Sequence, residues 1–124
     1  EGIPVYRALE PSSGLHIATR DKGQRMAAVL SEKRGVLIRN HGVVVVGESL
    51  PRVIYSSITL RDGAKILLDT LALGVEPHYI GTEEAKRCTE IQFGEVGLAR
   101  GWNYWCTKAK QAFPDISGIP HTSE

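Results

Sequence analysis

The sequence predicts an α/β domain in which helices cover a mostly antiparallel sheet in layers, and three observations lead there. Two aliphatic runs, Val36-Leu37-Ile38 and Val43 to Val46, are separated only by Arg39-Asn40-His41-Gly42, and strands joined so tightly must run antiparallel. Downstream, Leu50, Val53, Ile54, Ile58, Ala64, Leu67, Leu68 and Leu71 recur at the spacing of one helix face. The segments follow one another as strand, helix, strand, strand, long helix and helical tail, an order that sets helices against a sheet.

Taken in order, residues 3–9 (IPVYRAL) predict a short strand, with Pro4 tolerated near its start or at a sheet edge. Pro11-Ser12-Ser13-Gly14 is a turn cluster, and His16 follows it in a loop. Asp21-Lys22-Gly23-Gln24 has the N-cap and third-position Gln of a capping box, so a helix opens between Thr19 and Asp21. Met26, Ala27, Val29 and Leu30 give it a narrow apolar stripe that ends by Gly35. Two strands are expected at 36–40 and 42–47. Ser49 is a good N-cap for the long helix, and Pro51 sits in the first turn, where its missing N–H does no harm. That helix runs to Gly74.

Val75 to Gly81 is a connector, and Thr82-Glu83-Glu84 caps a further helix with acids where its N-terminal partial charge favours them. Gly94, Gly97 and Gly101 predict a bend or break. Beyond it Leu98, Trp102, Trp105, Ala109 and Phe113 step by threes and fours, a helix with one aromatic face. Pro114 to Glu124 has little to bury and reads as a tail.

The 124 residues are one domain's worth of chain. Fifteen basic against fourteen acidic side chains leave a net charge of +1, no electrostatic footprint for nucleic acid. No apolar run reaches the roughly 18 residues of a membrane span, and no cationic-then-apolar leader opens the chain. Cys88 and Cys106 make neither a disulfide framework nor a zinc knuckle, so a reducing cytoplasm is the default compartment. No glycine-rich loop opens a helix, so nucleotide binding has no support. The chain runs from Glu1 straight into a strand that needs a neighbour to pair with, which suggests a fragment or a processed chain.

The chemistry centres on His41. A histidine beside Gly at a strand turn can be structural, taking a left-handed conformation and bonding locally. It can also be a metal ligand, because neutral imidazole is a common ligand and a strand end fixes its direction. Arg39 stands two residues earlier; if the strand persists the two side chains share a face, with Cα atoms about 7 Å apart. A cation beside a metal ligand suits an anionic, carboxylate-bearing substrate between them, although an exposed strand arginine is the plainer reading of Arg39. Glu48 precedes a helix N-cap, where a carboxylate is ordinary, and Asn40 suits the turn's own backbone. His16, His78 and His121 match no local metal spacing.

The run RGVLIRNHGVVVVGESLPRVIYSSITLRDGAKILL resembles the last part of the class II aldolase/adducin domain. The shared pattern is an apolar strand, Asn-His-Gly or Gly-His-Gly, a second strand, a Gly and a small polar residue, then a long helix. With the opening IPVY, the loop and the first helix, the match covers roughly residues 2–74. The resemblance implies that His41 is the third ligand of a divalent metal, usually zinc. The family's preceding loop lies near the site, which ranks His16 above His78 and His121 as a further ligand, although a solvated loop histidine is the plainer reading of all three. Similar enzymes take two further ligands from a His-x-His motif and an acid/base Glu upstream, and no His-x-His occurs in this sequence. A catalytic zinc wants about three protein ligands, so an N-terminal fragment or second chain is expected to supply the rest.

The expected organisation is therefore an incomplete class II aldolase-like part over residues 1–81, a helical extension over 82–113 making homo-oligomer contacts, and a tail over 114–124. The function implied is part of a metal-dependent carbon–carbon lyase, cleaving a small hydroxy or oxo acid by retro-aldol reaction or decarboxylation. Epimerases and dehydratases occur on similar chains. Arg39 would anchor the substrate anion. Trp102, Tyr104 and Trp105 would pack, or cover a neighbouring subunit's site with Tyr104 as proton donor. The alternative is a non-catalytic, adducin-type assembly module without metal, which has no need of an imidazole at position 41.

Overall fold

The computed structural model describes residues 2–7 and 16–115. It divides into two compact units, Glu1–Glu48 and Ser49–Glu124.

The first unit contains β1 (Val5–Tyr6), α1 (Arg20–Leu30), β2 (Gly35–Ile38) and β3 (Gly42–Val45), with the strands in the order β1-β2-β3. The expected hairpin is present: β2 and β3 pair antiparallel, Ile38 opposite Gly42 and Val36 opposite Val44. The first strand joins differently. It pairs parallel to β2, with Val5 opposite Leu37 and Tyr6 opposite Ile38, so the sheet is mixed. The tight-turn argument governs only strands adjacent in sequence. Between β1 and β2 lies α1, which packs on both strands, and a helical crossover returns the chain parallel to itself. The link is made by Leu37 N–H donating to the Pro4 carbonyl at 2.9 Å and Arg39 N–H to that of Tyr6 at 3.0 Å. The described strand is shorter than expected at 3–9, and residues 8 and 9 lie outside the described residues.

Thr19 is the N-cap of α1, its side chain accepting from Lys22 N–H. Asp21, the residue read as cap, sits inside the first turn, where its charge favours the positive helix end. The sheet is two-faced. Tyr6 and Val36 are buried, Val36 completely. The in-register row Val5, Leu37 and Val43 is 42%, 37% and 44% exposed.

The second unit is helical: α2 (Leu50–Ala72), α3 (Thr82–Phe93) and α4 (Glu95–Ala112). Ser49 caps α2 with its hydroxyl toward Arg52 N–H, and Pro51 occupies the first turn. After Ala72 the chain leaves through Gly74 at φ 71°, a left-handed stop that glycine takes without strain. Gly81, not Thr82, is the N-cap of α3; Thr82 is its first helical residue. The expected break falls at Gly94, whose extended conformation ends α3 and starts α4. The aromatic face of α4 packs against α2: Trp102 is buried, and the Tyr55 ring meets Trp105 edge-on at 5.4 Å and Phe93 at 5.0 Å. No helix among the described residues is long and apolar enough to cross a membrane. Most of the predicted tail, residues 116–124, lies outside the described residues.

Candidate functional site

Ile38 ends β2 and Gly42 opens β3, so Arg39, Asn40 and His41 form the loop between them. His41 N–H donates to the Ile38 carbonyl at 3.0 Å, closing a β-turn. Asn40 stands at its third position with φ 59°. A positive φ there belongs to the type II turn, and asparagine tolerates the left-handed region better than other side chains with a Cβ. Asn-His-Gly is thereby explained from the backbone up: Asn turns the chain, and Gly42 restarts the ladder.

The same geometry corrects one expectation. Arg39 and His41 were placed on a common strand face on the condition that the strand continued. It stops at Ile38, and both side chains leave from an exposed turn at the sheet's edge, so the alternation of a strand does not set their relation.

What the turn brings to His41 is another histidine. The His16 and His41 rings stand with centroids 6.2 Å apart and planes at 81°. Both residues are exposed. His16 is held by its backbone, whose carbonyl accepts from Lys22 Nζ at 3.4 Å across the first turn of α1. No local spacing announces the pair, because 25 residues separate the two positions. Its signal lies in topology. His16 stands just before α1, the helix that packs on β1 and β2, and His41 just after β2.

The remaining candidates are elsewhere. Tyr104 lies exposed on α4 of the second unit, with Lys108 Nζ 5.9 Å from its ring centroid. His78 is exposed in the α2–α3 connector, Glu48 directly precedes the α2 cap, and His121 lies outside the described residues.

A family model, the Class II Aldolase and Adducin N-terminal domain, matches residues 1–68. The chain belongs to this family. Two curated relatives agree. A protein of Streptomyces roseochromogenus subsp. oscitans named 4-hydroxy-3-prenylphenylpyruvate oxygenase/4-hydroxy-3-prenylbenzoate synthase is 33% identical over 99 residues. Decarboxylase NovR of Streptomyces niveus is 34% identical over 98. Each alignment covers 79% of this chain and 34% of the relative, so the chain spans about a third of their length.

Class II aldolase family members generally use a divalent metal. Imidazole nitrogen is the donor class that zinc and its neighbours accept, and His16 with His41 fits part of such a coordination shell. Among the described residues no group of three or more His, Cys, Asp or Glu side chains stands ready to hold an ion.

Proposed function

We propose that this chain is part of a divalent-metal-dependent carbon–carbon lyase acting on a small hydroxy or oxo acid by decarboxylation or retro-aldol cleavage. The observation that carries the reading is His41 itself, exposed on the turn that closes β2 and β3 in a chain of this family. A decarboxylase and an enzyme named for a phenylpyruvate and a benzoate among the relatives favour an oxo-acid substrate and loss of carbon dioxide.

In this reading His41 offers a ring nitrogen to the ion, zinc being the first candidate. A divalent ion in such a site supplies Lewis-acid polarisation of a substrate oxygen. Arg39, two residues away in the same turn, binds the substrate carboxylate through its planar fork of N–H donors. Its fixed positive charge also holds negative charge that develops as the carbon–carbon bond breaks. The Tyr104 phenol, exposed on α4, is the proton donor, brought over the site of a neighbouring subunit in a homo-oligomer. The remaining ligands come from an N-terminal segment or second chain. The exposed row Val5, Leu37 and Val43 and the edge position of β1 support such a neighbour.

The test is elemental analysis of the purified protein with any polypeptide that accompanies it, followed by carbon dioxide release from 2-oxo and 2-hydroxy acids. About one divalent ion per site is expected, lost in His41→Ala together with activity. An assembly that keeps all its parts, holds no metal and cleaves none of these acids would leave the adducin-type scaffold reading.

A further inference from the structure

The metal reading above assigns one ligand to this chain; the geometry supports two. We propose that His16 and His41 bind the same divalent transition-metal ion, His16 being a second protein ligand contributed by this polypeptide. The inference rests on the metal reading of His41 and adds to it a residue for which no sequence spacing speaks.

Three observations carry it. First is distance: with metal–nitrogen bonds of about 2 Å, two imidazoles sharing one ion bring their ring centres to roughly 5–6 Å. The His16 and His41 centroids stand 6.2 Å apart, within about an ångström of that range. Second is attitude: with planes at 81° the rings meet edge to face and are not locked in a stack. Third is support. His41 N–H is tied to the Ile38 carbonyl and the His16 carbonyl to Lys22, so both backbones are held while exposed rings keep the freedom of about a nanosecond or less to close the last ångström.

A lone pair of surface histidines meeting by chance is the competing account. Against it stands the origin of the two residues. His16 stands just before α1, the helix that packs on β1 and β2, and His41 stands in the turn that follows β2, so each ring is carried next to an element of the same unit. A pair of imidazoles is also the donor set that binds cobalt, nickel, copper and zinc in preference to magnesium or calcium, which defines the class of ion.

The experiment titrates chelator-stripped protein, with any accompanying polypeptide, with Co²⁺ and reads its visible ligand-field bands. Zn²⁺ competition then gives the affinity. Variants are His16→Ala, His16→Gln, His41→Ala and, as control, His78→Ala in the α2–α3 connector. Mutation of groups that merely support a ligand already lowers metal affinity about 10- to 100-fold. Both His16 variants are therefore expected to weaken Co²⁺ at least about tenfold and to shift its bands, with His78→Ala unchanged. X-ray absorption at the zinc edge should count one imidazole fewer in His16→Gln than in the unsubstituted protein. If His16→Gln keeps the affinity, bands and imidazole count while His41→Ala loses them, the second-ligand inference falls and the metal reading of His41 stands. If His41→Ala also leaves all three unchanged, both fall.

Discussion

The Tyr55 ring of α2 lies against the backbone of α4 at Gly101: a Cβ at Gly101 would come within 2.9 Å of Tyr55 Cδ2 and Cε2. The ring cannot swing aside freely, because Trp105 and Phe93 hold it edge-on from two other directions. Gly101→Ala gains about 1 kcal/mol of helix propensity but overpacks a contact, which costs about 1–3 kcal/mol. The expected outcome is a net destabilisation of the helical unit. A lower urea midpoint with unchanged slope in equilibrium unfolding would register it.

The α3–α4 junction is stricter. A Cβ at Gly97 would meet the Ile91 carbonyl oxygen at 2.5 Å and that of Gln92 at 2.8 Å, and backbone cannot rotate away as a side chain can. Gly97→Ala is expected to cost more than Gly101→Ala, about 2–3 kcal/mol. Gly63, exposed in the middle of α2, meets nothing within 4 Å, so Gly63→Ala should instead stabilise by about 1 kcal/mol. Thermal melts of the two variants therefore move in opposite directions. Equal shifts would deny the role of the junction.

These contacts mark what the sequence made legible. Apolar periodicity located α2 and α4, and the glycine cluster located the break, since both signals are local. The Gly101–Tyr55 approach is not local: 46 positions separate the two residues, and no pattern in either helix names its partner. The site divides in the same way. Asn-His-Gly between aliphatic runs exposed the turn and His41, whereas only the family resemblance pointed to the loop of His16, and no spacing paired its ring with that of His41. The condition that put Arg39 and His41 on one strand face failed because three residues, not one, form the loop.

Asn40 holds that loop in a left-handed conformation, φ 59°. A β-branched residue there meets its own Cβ against the following carbonyl, a cost of about 1–2 kcal/mol. Asn40→Val is expected to destabilise the hairpin by that amount and to weaken metal uptake by moving His41, whereas Asn40→Gly should preserve both. Amide exchange across Val36 to Val45, measured beside metal affinity, separates these outcomes. Fast exchange in both variants would assign Asn40 a side-chain role that the turn does not require.

Arg39 offers the sharpest separation of fold from chemistry. The group that joins it to the sheet is its backbone N–H, donating to the Tyr6 carbonyl at 3.0 Å, and every residue but proline retains that bond. Replacing its side chain should therefore leave the fold and the metal in place. A hydrogen-bonded contact from a charged group is worth about 1.5–3 kcal/mol. Arg39→Gln should then lower kcat/KM for an oxo-acid substrate about 10- to 100-fold. Most of the loss should lie in KM if the guanidinium holds the carboxylate equally before and during bond cleavage, and in kcat if it holds the developing charge. Arg39→Lys should recover part of it, since an ammonium keeps the charge but not the two-pronged geometry. Unchanged kinetics in Arg39→Gln, with full metal occupancy, would remove the arginine from the site and leave the histidines to define it.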